Sequence, residues 1–210
     1  HKFGVNQRKK LSDKGGPDCD VLLMTATPIP RTLTMTIYGD MDISIIREKP
    51  KNRKPIKTYS KLESKIDDIL KFISKEINLG NQIFWVCPLI EESKKLDHSS
   101  AIKKFEFLKK KYPNQVGLLH GKTDIDEKEK ILNDFLNKKF QILVSTTIIE
   151  VGIDFPNANV IIIENANKFG LSQLHQLRGR VGRGNRDSTC ILMFKNNLSE
   201  NAKKRINILK

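Results

Sequence analysis

From residue 58 onward, the apolar residues of this chain follow two alternating patterns. Short apolar runs predict buried strands at residues 82–90, 116–120, 141–145, 159–163 and 189–194, and residues 58–60 predict a further extended segment. Longer segments place apolar residues at helical spacing. The three sets are Ile66, Ile69, Leu70, Ile73 and Ile77, then Ile102, Phe105 and Leu108, then Ile131, Leu132, Phe135 and Leu136. Strands that alternate with amphipathic helices indicate an α/β fold, with a mainly parallel sheet and helices on both faces.

Local signals set the ends of some of these elements. Asp124 with Glu127 three positions later predicts a capping box at the start of the third helix. Ser199 is a candidate N-cap for a basic helix over residues 198–210. The polar run EESKKLDHSS, at residues 91–100, predicts a loop.

The first 50 residues predict too little structure to fold alone. Residues 20–24 predict a short buried strand and residues 30–38 a helix begun by proline, and one strand with one helix cannot bury a core. The segment KPKNRKP, with two prolines and four cations, indicates a linker. We therefore predict the end of a first domain at residues 1–50, a linker at 51–57, a second domain at 58–197 and the start of a C-terminal helical extension at 198–210.

The chain carries a large excess of positive charge. Its 38 Lys and Arg residues against 24 Asp and Glu residues give a net charge of +14. Such an excess attracts polyanions such as nucleic acid. A lysine-rich surface that is merely solvated is the alternative.

The cysteines and histidines argue against a disulfide framework and a metal site. Cys19, Cys87 and Cys190 are isolated and odd in number, which indicates reduced core residues. The four histidines lack metal-ligand spacing, so we predict no metal ligand among them. No apolar run reaches the roughly 18 residues of a membrane span, and no signal peptide is visible. We therefore expect a cytoplasmic protein without a membrane contact.

The segment LSQLHQLRGRVGRG, at residues 171–184, carries the clearest candidate chemistry. Arg178, Arg180 and Arg183 lie within six positions and are separated by glycines. A guanidinium is a planar fork that pairs with phosphate oxygens, and glycines let a backbone approach a ligand closely. A short helix between two buried strands is expected to point its end at the carboxyl edge of the sheet, where ligands bind. A flexible basic loop is the alternative.

Polar residues after the predicted strand 141–145 are further candidates. Thr146 and Thr147 offer hydroxyls that suit DNA phosphates, or that satisfy local backbone groups. Gly152 permits close approach of a ligand, and Asp154 suits ribose hydroxyls or is a simple turn residue.

Two weaker phosphate-binding candidates lie elsewhere. Arg31 stands near a predicted helix N-terminus, where an anion is favoured. His120 ends a predicted strand just before Gly121 and is a candidate backbone clamp.

Several of these segments resemble signature motifs of superfamily 2 helicases. Residues 146–154, TTIIEVGID, resemble the motif before the last, and residues 24–33, MTATPIPRTL, resemble the coupling motif that ends the first motor domain. HKFGVNQR, which begins the chain, resembles the continuation of a D-E-x-H box of which only His1 remains. The last signature motif is matched by Gln176, Gly179, Arg180, Gly182 and Arg183. Along nearly its entire length, the chain is similar to the RecG family of branched-DNA helicases.

The resemblance implies two RecA-like motor domains, with residues 1–50 ending the first and residues 58–197 forming most of the second. It implies that Arg180 and Arg183 are arginine fingers that reach ATP across an interdomain cleft, and that Gln176 contacts His1 when the cleft closes. Gly179, Gly152 and Asp154 would belong to the same nucleotide site. Thr25 and Thr27 would couple the nucleotide state to the DNA-facing surface.

The implied cofactor is ATP with Mg²⁺, bound mainly by an upstream domain. The phosphate loop G-x-x-x-x-G-K-[ST] does not occur in these 210 residues, so we expect the chain alone to be inactive. The implied partners are double-stranded and branched DNA and the first RecA-like domain, and we expect a monomer.

Two alternatives remain open at this point. A transcription-repair coupling translocase carries a similar TATPIPRTL segment and a similar arginine motif. A non-enzymatic nucleic-acid-binding module that kept the fold and lost the motor belongs to another functional class.

Overall fold

The computed structural model describes residues 10, 13–15, 22, 24, 44–46, 48, 54–88, 94–146, 155–196 and 198–210. By its internal contacts the chain divides into two units, His1–Ile46 and Arg47–Lys210. In the first unit, Leu22 and Met24 are exposed and lie outside any strand, so the predicted buried strand is wrong at these two positions. An apolar run alone does not bury itself, because burial needs neighbouring elements. The predicted helix at 30–38 lies outside the described residues.

The second unit is built on a six-stranded sheet in which all the pairs of neighbouring strands are parallel. The spatial order is β1-β6-β5-β2-β4-β3. The strands are β1 (Ile56–Leu62), β2 (Gln82–Cys87), β3 (Val116–Leu119), β4 (Ile142–Thr146), β5 (Ala158–Ile163) and β6 (Ser188–Phe194). This arrangement confirms the predicted α/β fold with a parallel sheet.

Five helices of the described part of the second unit connect or follow these strands. They are α1 (Ile66–Asn78), α2 (Lys94–Lys111), α3 (Ile125–Leu136), α4 (Leu171–Arg178) and α5 (Glu200–Ile208). The predicted loop at 91–100 is wrong from Lys94 onward, where α2 begins. The stretch is polar and lacks an apolar period, but lysine and leucine have high helix propensity, and polarity alone indicates only contact with water.

The core lies on both faces of the sheet. Successive residues of β2 point to opposite faces, and every residue of this strand is buried. Phe84 and Val86 belong to a cluster that includes residues of α3, α4 and α5, whereas Ile83 and Trp85 belong to a second cluster that includes residues of α1 and α2. Helices therefore cover both faces, as the alternation of strands and helices predicts.

The element ends differ from the sequence expectations in small ways. β1 begins at Ile56, inside the stretch predicted as a linker at 51–57, while the domain limits themselves stay predictions. Asp124 occupies the N-cap of α3, but its side chain makes no cap hydrogen bond, so the predicted capping box is not formed. The Ser199 hydroxyl accepts a hydrogen bond from the Ala202 amide at 3.4 Å and caps α5 as predicted.

Candidate functional site

The segment from Gly179 to Asp187, here called the arginine loop, connects α4 to β6 and carries Arg180 and Arg183. The expectation that α4 points its end at the carboxyl edge of the sheet is wrong. Helix α4 follows β5 and returns to the start of the parallel strand β6, so its C-terminal end leads to the amino edge. The ligand rule for open sheets concerns loops that leave the carboxyl ends of strands, and the arginine loop is a returning connection.

Two glycines fit the arginine loop closely against the amino edge. Gly182 has a φ of +75°, and a Cβ added there would lie 3.0 Å from the Ile56 side chain. A Cβ added at Gly184 would lie 2.6 Å from the carbonyl oxygen of Pro156, which no side chain can approach so closely. Between these positions Arg183 is exposed. Backbone contacts on both sides of Arg183 therefore define its place along the edge.

The upstream end of the arginine loop continues directly from α4. The Gly179 amide donates to the His175 carbonyl at 3.0 Å, and the Arg180 amide donates to the Leu177 carbonyl at 3.0 Å. Val181 is fully buried in the core cluster below α4. Gln176 is exposed, and Arg180 is half-buried. The structure thus brings Gln176, Gly179, Arg180 and Arg183 together in one helix end and its loop.

Arg178 faces the last described helix. Its Nη1 donates to the Leu209 carbonyl at 3.0 Å, and its Nη2 lies 3.2 Å from Nδ1 of His175. Burial, and then the positive charge of Arg178, lower the pKa of His175 from its usual 6.5. Nδ1 of a neutral His175 accepts a hydrogen bond from the guanidinium. The bond to Leu209 joins α4 to the residue that follows α5, and the contact with His175 lies within α4.

The downstream end of the arginine loop is held by residues that the sequence analysis missed. Arg186 Nη1 donates to the Leu79 carbonyl at 3.0 Å and to Asn81 Oδ1 at 2.9 Å. The Asp187 carboxylate pairs with Lys54 at 2.9 Å and with Lys57 at 3.1 Å, and these lysines lower its pKa. The only signal in the sequence is one more arginine after the glycines, and its acceptors lie more than 100 positions away.

Two predicted DNA-facing residues lie at the opposite, carboxyl edge. Thr146 ends β4 and is buried, and its Oγ1 has no hydrogen-bond partner among the described residues. His120 follows β3, and its Nδ1 accepts from the Lys122 amide at 3.2 Å, within a turn that also includes Thr123. The sheet therefore separates these residues from the arginine loop.

A half-buried ion pair lies at the same carboxyl edge. Lys104 of α2 contacts Glu164, the residue after β5, with 2.8 Å between Nζ and Oε1. The ammonium group also lies 5.1 Å from the ring centre of Trp85. These contacts hold α2 against the ends of β2 and β5.

Several predicted site residues lie outside the described part of the chain, and their predicted roles stay predictions. They are His1, Thr25, Thr27, Arg31, Thr147, Gly152 and Asp154. In sequence, Asp154 stands two residues before Pro156, whose carbonyl contacts Gly184 of the arginine loop.

Two further properties of the described ranges concern metal sites and membrane spans. No group of three or more His, Cys, Asp or Glu residues is arranged to hold a metal ion in these ranges. Among the described helices, none combines the length and the apolar character needed to cross a bilayer.

Comparison with known proteins points to one family. The family model for the helicase conserved C-terminal domain matches residues 64–185. The ATP-dependent DNA helicase RecG of Bacillus subtilis is 52% identical over 100% of this chain and 31% of its own length. The RecG of Streptococcus pneumoniae is 49% identical over 100% of this chain and 31% of its own length. The chain thus spans about a third of these relatives.

A solved structure of RecG bound to a three-way DNA junction agrees with the sequence comparison. It superposes with a TM-score of 0.74 and 41% identity, over 88% of this chain and 24% of that one. The match covers a RecA-like parallel sheet with helices on both faces, and the resemblance inferred from the motifs is confirmed. The two RecG helicases named above share about half of their matched residues with this chain. The chain belongs to the helicase conserved C-terminal domain family.

Proposed function

We propose that this chain comprises the end of the first and most of the second RecA-like motor domain of an ATP-dependent DNA helicase that remodels branched DNA. The observation that carries the proposal is the arginine loop, which is anchored along one edge of the sheet with Arg183 exposed between two closely packed glycines. The proposal is supported by relatives named ATP-dependent DNA helicase RecG and by the solved complex of RecG with a three-way DNA junction.

In this proposal, Arg180 and Arg183 donate hydrogen bonds to the phosphates of ATP. Phosphoryl transfer spreads negative charge over the phosphate oxygens, and an arginine supplied from a neighbouring domain accelerates it by about 10³- to 10⁵-fold. The forked donors of two guanidinium groups fit a polyphosphate, whereas they cannot bind a cation. Mg²⁺ would therefore be held mainly by the first RecA-like domain.

The nucleotide site would extend from the arginine loop toward Gly152 and Asp154. Asp154 would accept hydrogen bonds from ribose hydroxyls, and Gly152 and Gly179 would let the backbone approach the nucleotide. Gln176, exposed on the last turns of α4, would contact His1 when the two domains close.

The DNA-facing surface would lie at the carboxyl edge. Thr146, at the end of β4, would contact a DNA phosphate together with Thr147 and His120. Thr25, Thr27 and Arg31 would couple nucleotide state to DNA contacts. The net charge of +14 would supply affinity that does not depend on DNA sequence.

We propose that the protein acts as a monomer in the cytoplasm.

The test is Arg183→Ala in the natural full-length protein. We expect DNA-stimulated ATPase turnover to fall by about 10³-fold, because charge stabilisation at the phosphates is lost. Affinity for a three-way junction should stay within about twofold, since Arg183 lies on the edge opposite Thr146. ATPase turnover is measured with a coupled assay, and junction affinity by fluorescence anisotropy.

A matched control removes a cation elsewhere. Lys139 pairs with Asp134 at the surface, 2.8 Å away, and Lys139→Ala should leave both quantities unchanged. A passive nucleic-acid-binding module would bind the junction but show no ATPase for Arg183→Ala to remove. That result, or full ATPase in the variant, would contradict the proposal.

A further inference from the structure

Arg186 lies at the point where the arginine loop returns to the sheet. It stands three residues after Arg183 and two before the start of β6. One nitrogen of its guanidinium, Nη1, donates to two oxygens that precede β2, the Leu79 carbonyl at 3.0 Å and Asn81 Oδ1 at 2.9 Å. A charged donor strengthens each bond relative to a neutral one. The contact therefore ties the loop to a strand two positions away from β6 in the sheet.

The acceptor Asn81 is fixed by a buried polar network. Its Oδ1 also accepts from Asn159 Nδ2 at 2.8 Å, and its Nδ2 donates to Glu76 Oε2 at 2.7 Å. Asn159 Oδ1 in turn accepts from the Ser188 hydroxyl at 3.4 Å. Asn81, Asn159 and Ser188 are 6%, 0% and 1% exposed, so their side chains have little freedom to move. Arg186 thus binds to a rigid acceptor.

Gly182 and Gly184 pack closely against Ile56 and Pro156 and hold the middle of the loop at the edge of the sheet. The bond from Arg186 to Asn81 supplies a directional constraint on the downstream end.

From this geometry we infer that Arg186 is a positioning residue for Arg183: it holds the downstream end of the arginine loop on Asn81 and so sets where the Arg183 guanidinium meets the nucleotide. The inference rests on the proposed function of Arg183. Arg186 itself contacts the protein and takes no part in the phosphate chemistry.

The test compares Arg186→Ala, Arg186→Lys and Arg183→Ala in the natural full-length protein. For Arg186→Ala we expect kcat of the DNA-stimulated ATPase to fall about 10- to 100-fold, because a misplacement of about 1 Å costs that much. KM for ATP should stay within about twofold, since most of the nucleotide contacts are left intact. Arg186→Lys should recover much of kcat, because an ammonium group can donate to the same two oxygens.

A second measurement separates positioning from general loss of structure. Hydrogen exchange of the amides in residues 179–187 should quicken in Arg186→Ala, while exchange in β2, β4 and β5 stays as in the parent. Lys139→Ala is the control for removal of one exposed cation.

The outcomes are distinguishable. If Arg183→Ala abolishes ATPase but Arg186→Ala leaves kcat and loop exchange at parent values, the positioning inference is wrong and the proposed function stands. A uniform rise in exchange across the sheet, without recovery by Arg186→Lys, also contradicts the inference, because it assigns Arg186 a role in stability alone. If Arg183→Ala keeps full ATPase, the proposed function itself fails.

Discussion

At the scale of single residues, the contact between His175 and Arg178 makes stability depend on pH. Burial and the neighbouring guanidinium lower the pKa of His175 from 6.5, so the unfolded chain binds a proton at a pH where the folded chain does not. Unfolding is therefore favoured as pH falls from 6.5 toward the folded pKa, and the stabilisation is fully present above 6.5. Folding stability decreases at lower pH because the additional proton binds to the unfolded chain.

We expect the thermal midpoint of the chain to fall between pH 7 and pH 5 by a larger amount than in His175→Asn. Asparagine offers an oxygen acceptor to Arg178 and does not titrate. The measurement is circular dichroism melting at a series of pH values. If the thermal midpoint changes with pH equally in the parent and in His175→Asn, His175 is not the source of the pH dependence.

At the scale of elements, the arginine loop depends on two glycines for different reasons. Alanine at Gly182 must adopt a left-handed backbone, at a cost of about 1–2 kcal/mol. Alanine at Gly184 meets the Pro156 carbonyl oxygen at 2.6 Å, so the loop must move away from the start of β5. Gly184 is therefore needed for the position of the loop, and Gly182 mainly for its conformation.

If the proposed function holds, Gly184→Ala in the full-length protein should lower ATPase kcat by at least about tenfold, because the displaced loop carries Arg183. Gly170→Ala is the control, since its Cβ would lie 3.6 Å from Gln173 Oε1, an ordinary contact. Turnover is measured at saturating ATP and DNA. Normal turnover in Gly184→Ala would mean that the loop position does not limit catalysis.

The strands show how much of this structure can be predicted from sequence. β4 and β5 were predicted to within one residue at each end, because strands buried on both faces are continuous apolar runs. The first turns of α2 carry no such pattern and were missed. The arginine motif was found from its residue order, but its edge of the sheet and the Arg186 anchor depend on long-range packing. Local spacing does not contain that information.

At the scale of the whole molecule, charge predicts how the protein meets DNA. If the proposed function holds, its excess of 14 positive charges binds phosphates and releases counterions. With six to ten phosphate contacts, affinity for a three-way junction should fall by about 10³- to 10⁵-fold between 50 and 200 mM salt. Anisotropy titrations on junctions of two unrelated sequences should give the same slope of log affinity against log salt concentration. A slope near zero would contradict phosphate-based binding.

The opposite placement of the arginine loop and Thr146 has a mechanical consequence. The five residues of β4 span roughly 17 Å, and the strand lies inside a sheet packed on both sides. A sheet packed on both faces resists bending. A force applied at its amino edge therefore moves the carboxyl edge only by rotating the whole domain as a rigid body. If the proposed function holds, probes attached at these two edges should keep a constant separation through the ATPase cycle.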